Sequence, residues 1–370
     1  VKRATQVTAL AAVAALALAA CGAAPEDDET TGGGENTAGG NSDFSACMVS
    51  DAGGFDDQSF NQSGFEGLQQ AEEELGVTIH EVESQADTDY APNIDSLVQQ
   101  GCNLIIGVGF LLEDPIQAAA VANPDTHFAL IDSSFSDPGA TADDPPVAVE
   151  LDNAKPILFN TAEAAFLAGY LAAGMTESGT VATFGGIQIP SVAIFMDGYV
   201  DGVAKYNEDN GTDVKVLGWD KAAQTGTFTG DFDNQANGQN VTQGFIDQGA
   251  DIIMPVAGPV GLGAAAAAEG AGAKIIWVDS DGFLTTDYGS LILTSVMKQI
   301  GPAVFDTVKE SADGNFTSEP YVGTLENEGV GLAPFHDFED AVPAELQDQL
   351  AQYQEQIIAG DLVIESPNAP

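Results

Sequence analysis

Along the chain, short runs rich in Val, Ile, Leu and Phe alternate with longer stretches whose apolar positions recur every three to four residues. The short runs read as buried strands and the longer ones as amphipathic helices. Strands are predicted at Ala46–Ser50, Val77–Val82, Leu104–Val108 and His127–Ile131, then at Thr180–Phe184, Val214–Trp219, Asp251–Val256 and Lys274–Val278. Phe65, Leu68, Ala71 and Leu75 share one face of a helix that opens on Ser59-Phe60-Asn61-Gln62, an S-x-x-Q capping box. Ile94, Leu97 and Val98 repeat the logic ahead of Gly101, a suitable helix stop.

Strands and helices alternating in this way build parallel sheets with helices on both faces. Four such units precede residue 150 and four follow residue 179, so the chain reads as α/β with two lobes, each a doubly wound parallel sheet. The link Val147–Lys155 is itself strand-like, and the run Leu291–Ser295 can return to the first half, followed by a helix near Pro302–Ser311. Tyr321–Phe335 and a helix over Ala344–Ala359 can cross again. The expected division is 44–152 with about 297–320 for the first lobe, and 153–296 with about 321–365 for the second. Several crossings between two lobes make a hinge.

The N-terminus follows another pattern. Lys2 and Arg3 precede an uncharged apolar run from Val7 to Ala17, which is shorter than the roughly 20 residues of a spanning helix. It ends in Leu18-Ala19-Ala20-Cys21, which resembles a bacterial lipobox, so residues 1–20 are read as a lipoprotein signal peptide and Cys21 as the lipidated residue. Residues 21–43 are acidic, Gly-rich and nearly free of apolar side chains, the composition of a flexible tether. The expected location is the extracytoplasmic face of the cell membrane, held there by lipid.

Charge narrows the partners. After Cys21 the chain carries seven Lys and no Arg against 57 Asp and Glu, a balance of −50. Without a basic surface to release phosphate counterions, nucleic acid is excluded as a partner. The acidic excess suits a saline habitat or, alternatively, a cationic partner. Cys47 and Cys102 remain as an even pair in an oxidising location. In a sheet ordered 2-1-3 their strands are neighbours, so they either bond to each other or sit as buried free thiols. His80, His127 and His336 are too scattered for a metal site, and no cofactor motif is present. Neither G-x-S-x-G nor H-E-x-x-H occurs, which argues against an enzyme; hydrolysis by clustered Asp is the one catalytic reading left open.

A series of motifs then becomes specific. The segment Ser50–Ser63 (SDAGGFDDQSFNQS), Leu104–Phe110 (LIIGVGF), Phe184–Pro190 (FGGIQIP) with Phe195–Gly198, Val278–Asp281 (VDSD), Thr294–Lys298 (TSVMK) and Gly329–Phe335 (GVGLAPF) together resemble, in order, the basic membrane protein family of PnrA-like purine nucleoside receptor lipoproteins. The resemblance covers about residues 45–365. It implies a type I periplasmic-binding-protein fold, a monomer that captures nucleosides and passes them to ABC permease and ATPase subunits. It also implies that Phe60 and Phe195 sandwich a base; the amide of Asn61 is suited to bond the base edge.

Chemistry at the strand ends fits that implication, because ligands of open α/β sheets bind beyond the carboxyl ends of the strands. Asp51, Asp132, Gly258, Asp279 and Asp281 all follow predicted strands, and Lys298 ends an apolar run. A carboxylate accepts two hydroxyl hydrogen bonds and so suits a ribose diol, while Lys298 adds a donor. Gly258 allows close approach of backbone to a ligand. Each residue also has a plain alternative: Asp as a helix cap, Phe as core, Asn as a turn former, Lys as a solvated charge. A surface receptor or adhesin on the same fold, or import of another small ligand such as a sugar, is the competing function.

Overall fold

The computed structural model describes residues 43–137 and 146–370, so the expected signal peptide, Cys21 and all of the tether but its last residue, Asp43, lie outside the described residues. The chain runs through β1 (Ser45–Ser50), α1 (Phe60–Leu75), β2 (Thr78–Val82), α2 (Asp87–Gln100), β3 (Leu104–Val108), α3 (Glu113–Ala122), β4 (His127–Ile131) and β5 (Ala154–Phe159). It continues through α4 (Thr161–Met175), β6 (Thr180–Gly185), α5 (Pro190–Asn210), β7 (Lys215–Leu217), α6 (Gln235–Ile246), β8 (Ile252–Val256), α7 (Val260–Ala271), β9 (Lys274–Asp279) and β10 (Ile292–Lys298). Last come α8 (Ile300–Ala312), β11 (Tyr321–Gly323), β12 (Val330–Leu332) and α9 (Ala344–Ile358).

These strands form two six-stranded sheets, ordered β11-β5-β4-β3-β1-β2 in the first lobe and β12-β10-β9-β8-β6-β7 in the second. Only the pairing of β12 with β10 is antiparallel. The two orders match strand for strand, so β3 corresponds to β8 and β4 to β9. Runs such as Leu104-Ile105-Ile106 and Ile275-Ile276-Trp277 are wholly buried, as parallel strands covered on both faces must be. Cys47 in β1 and Cys102 just before β3 are joined by a disulfide, their Cα atoms 6.0 Å apart.

Sheet membership departs from the expected division at β5 and β11, and from the expected return of Leu291–Ser295 to the first half at β10. β5 pairs with β4 in the first sheet although it was expected in the second lobe, and β11 pairs with β5 there as well. β10 does not return to the first lobe; it lies between β9 and β12 in the second sheet. The reason is backbone satisfaction: β4 would otherwise leave a row of unpaired donors and acceptors, and the apolar run ending in Ile157 and Phe159 is the segment that can cover them. The chain therefore crosses near Asn160, near Gln299 and between Gly323 and Val330. Asn160 N–H donates to Gly323 O and Gln299 N–H to Gly329 O, so the three crossings are tied together.

α8 returns to pack on α1, and the contact is close because a Cβ at Gly67 would lie 2.2 Å from Gly301 O. α9 docks through Tyr353, whose ring meets those of Phe166 and Tyr170 on α4.

Candidate functional site

The carboxyl ends of the two sheets face each other across a cavity lined by residues of both lobes, the place where open α/β sheets take small molecules. From the first lobe Asp51 follows β1, Gly109 follows β3 and Asp132 follows β4. From the second, Gly258 follows β8, Asp279 ends β9 and Lys298 ends β10. All six line the cavity, as do Phe60 and Asn61 on α1 and Phe195 on α5.

Corresponding strands end alike. Asp132 and Asp279 both adopt left-handed backbone, with φ of 68° and 69°, and Gly109 and Gly258 have φ of 112° and 52°. For a non-glycine residue that conformation costs about 1–2 kcal/mol, less for Asp. Here it turns both carboxylates toward one ammonium group. Lys298 Nζ bonds Asp132 Oδ2 and lies 3.5 Å from Asp279 Oδ1, with only 3% of its side chain exposed. Burial works against its charge, but the two carboxylates outweigh burial and raise its pKa above the ordinary lysine value. The ammonium also sits 5.0 Å from the Phe60 ring centroid and 5.1 Å from that of Phe195, within cation–π reach of both.

Asp51 lines the cavity from the end of β1. Its Oδ1 accepts from Asn61 Nδ2 at 2.8 Å and from Gly53 N–H at 3.1 Å. Burial raises its pKa, since no cation offsets the lost hydration. With Asn61 Nδ2 committed, Asn61 Oδ1 is left buried and unpartnered among the described residues. An acceptor in that state is costly unless a ligand donor meets it. Gly109 must be glycine because a Cβ there would lie 2.8 Å from Asp51 Oδ2.

Two site details differ from the sequence reading. Asp281 is not among the residues lining the cavity. Its carboxylate accepts from Phe283 N–H at 3.2 Å and pairs with His336 Nε2 at 2.7 Å, while the His336 ring stacks on Phe283. The S-x-x-Q box does not form either. Asp57 accepts from the N–H groups of Ser59, Asn61 and Gln62 at 2.9 to 3.0 Å, and Gln62 Oε1 accepts from Gln58 N–H. Asp57 thus caps α1, lines the cavity and has its pKa pushed by burial up to about 7. Sequence reasoning also missed Ile189, Val192 and Phe232, which line the cavity from the second lobe. Ile189 lies within the FGGIQIP segment and Val192 two residues beyond it, which is their only signal; Phe232 sits in a polar loop with none.

Paired α/β lobes, a tied hinge and strand ends converging on an aromatic and carboxylate cavity define a type I periplasmic-binding-protein fold, the class that serves ABC importers as solute receptors. Residues 44–367 match the family described as ABC transporter substrate-binding protein PnrA-like, and the chain belongs to that family. It is 30% identical to the ABC transporter nucleoside-binding protein BmpA of Lactococcus lactis, over 99% of each chain. A lipoprotein of Pyrococcus abyssi is also 30% identical, over 81% of this chain and 71% of that one. Among solved structures, a solute-binding protein of an ABC transporter from Aeropyrum pernix superimposes with a TM-score of 0.77 at 25% identity, covering 88% of this chain and 94% of that one. The protein is therefore an extracytoplasmic substrate-binding component and not an enzyme. Among the described residues, no helix is long and apolar enough to cross a membrane.

Proposed function

We propose that the cleft between the lobes binds a nucleoside, with a purine preferred, and that the protein delivers it from a lipid anchor at Cys21 to permease and ATPase subunits. The observation that carries this reading is that Phe60 of the first lobe and Phe195 of the second both line the cavity, with ring centroids 5.0 and 5.1 Å from Lys298 Nζ. Those distances put the two ring centroids at most about 10 Å apart, close enough for both to touch one flat base, which needs roughly 3.5 Å of van der Waals contact on each face it offers. Asp51 and Asn61 supply acceptors to the cleft, and Asp132, Asp279 and Lys298 form a second polar group of two carboxylates and a cation. That combination suits a molecule with a planar edge bearing N–H donors and a second part bearing hydroxyls. The nucleoside-binding role of the Lactococcus relative supports the nucleoside class, and the Pyrococcus relative, a lipoprotein, supports the anchor.

The test is mass spectrometry of the small molecule that co-purifies, followed by calorimetry with guanosine, inosine, adenosine, uridine and ribose. Purine nucleosides are expected to bind more tightly than uridine, and ribose alone hardly at all. A sugar as the co-purifying ligand, with no heat from any nucleoside, would replace this reading with sugar import.

A further inference from the structure

Ser59 stands immediately before α1, at the position from which a hydroxyl ordinarily caps the helix, yet Asp57 has taken that task. The freed hydroxyl, fully buried, crosses to the other lobe instead: Ser59 Oγ donates to Val278 O at 3.2 Å and to Asp279 Oδ2 at 3.1 Å. One residue earlier, Gln58 holds left-handed backbone with φ of 59°. Its carbonyl accepts two hydroxyl donors from the second lobe, Ser280 Oγ at 3.0 Å and Thr285 Oγ1 at 3.1 Å. Ser280 and Thr285 hydroxyls are themselves 3.1 Å apart, so the acceptor and its two donors form one closed group. Neither Ser280 nor Thr285 lines the cavity.

We infer that Gln58 and Ser59 of the first lobe and Ser280 and Thr285 of the second form a clasp that stabilises lobe closure without touching the ligand, with Ser59 also acting as a positioning residue that orients the Asp279 carboxylate toward Lys298. Three features point the same way. The partners come from opposite lobes and are more than 200 residues apart in sequence. A non-glycine residue is held in left-handed backbone at the point of contact, which persists only where surrounding bonds compensate it. The cap that Ser59 would have made is supplied by another side chain, so its hydroxyl is free for the crossing. Hydroxyl-to-carbonyl bonds across a hinge exist only when the lobes meet, so they favour the closed state whatever fills the cleft.

The test compares wild type with Ser280→Ala/Thr285→Ala and with the hydroxyl-preserving Ser280→Thr/Thr285→Ser. Spin labels on the exposed α3 and α6 helices report the distribution of distances between lobes in ligand-free protein. The alanine pair should lower the ratio of closed to open molecules on the order of tenfold, and the hydroxyl-preserving pair should restore it. Equal distributions in all three proteins would overturn the clasp. This arm needs no ligand, so it decides the clasp even if the cleft proves not to take nucleosides. With guanosine, stopped-flow measurements should show the alanine pair speeding dissociation by a similar factor while association stays within about twofold. A slowed association with unchanged dissociation would also overturn the proposal, because a closure clasp acts after encounter.

Discussion

Replacing Lys298 by Met tests the centre of the cleft most directly. Met keeps an unbranched side chain of similar length between Phe60, Phe159 and Phe195, so the variant removes charge with little loss of packing. What remains is Asp132 from one lobe and Asp279 from the other, each side chain 8% exposed and neither with a cation. Removing one member of a buried ion pair costs about 3–5 kcal/mol, because the abandoned charge stays desolvated. The carboxylates can recover part of that by taking up a proton, which raises their folded-state pKa above the unfolded value. A group shifted in that direction binds more protons folded than unfolded, so stability falls as pH rises. The deficit relative to wild type should therefore be near its full size at pH 8 and smaller at pH 5. In wild type the raised Lys298 pKa keeps the ammonium charged across that window, and burial already raises the Asp132 pKa although Lys298 works against it; losing the cation raises it further, so the variant should show the steeper slope. Urea unfolding followed through the buried Trp219 and Trp277 at the two pH values measures it. A variant within about 1 kcal/mol of wild type at pH 8, or a deficit that does not shrink at pH 5, would refute the role given to Lys298.

Other expectations follow from the same geometry. Phe60→Ala should weaken purine nucleoside binding by about 1–3 kcal/mol in calorimetry with the melting temperature nearly unchanged, because Phe60 is only partly buried. Phe195→Ala should lose both affinity and stability, since Phe195 is 1% exposed and belongs to the core; truncating such a side chain costs about 3–5 kcal/mol. Adenosine should bind far more tightly than AMP, because the chain after Cys21 has no Arg to fork onto a phosphate and the cleft is rich in carboxylates; comparable affinities would contradict the site. Asp57, with its pKa pushed up to about 7, ionises at a cost to folding as pH rises from about 4 through 7, so Asp57→Asn should gain on wild type over that interval in pH-dependent melts. The melting temperature should climb as NaCl rises from 0.05 to about 1 M, where the screening length falls to roughly 3 Å and the balance of −50 repels itself less; a flat response would count against the saline reading.

Most strands and the strand-end residues were legible because parallel strands are wholly apolar and stop at polar residues that meet the ligand side. Asp51, Asp132, Gly258, Asp279 and Lys298 all came from that single rule. The failures lie where a residue's role depends on its neighbours' backbone. Left-handed geometry at Asp279 turns its carboxylate inward, and two residues later Asp281 caps the helical turn Gly282–Thr285 instead. Ser59 satisfies the capping-box spacing, but Asp57 reaches the same N–H groups first, and spacing alone cannot rank two competing acceptors. The membership of β5 and β11 was illegible for another reason. Strand pairing across long connections is decided by which sheet edge stands open, and no local pattern encodes that.

The interleaving of the lobes has a consequence for recombination. Because the backbone passes the hinge near Asn160, near Gln299 and between Gly323 and Val330, neither lobe is encoded by one uninterrupted stretch of gene. A single crossover between two homologous genes can never exchange a whole lobe; it splices β11 or β12 of one parent onto the sheet of the other. Exchanging the second lobe takes three junctions at once, all falling where Asn160 meets Gly323 and Gln299 meets Gly329. Chimeras with a new cleft wall are therefore best built with all three joints placed in those crossings, and libraries made by one-point shuffling should be poor in folded members.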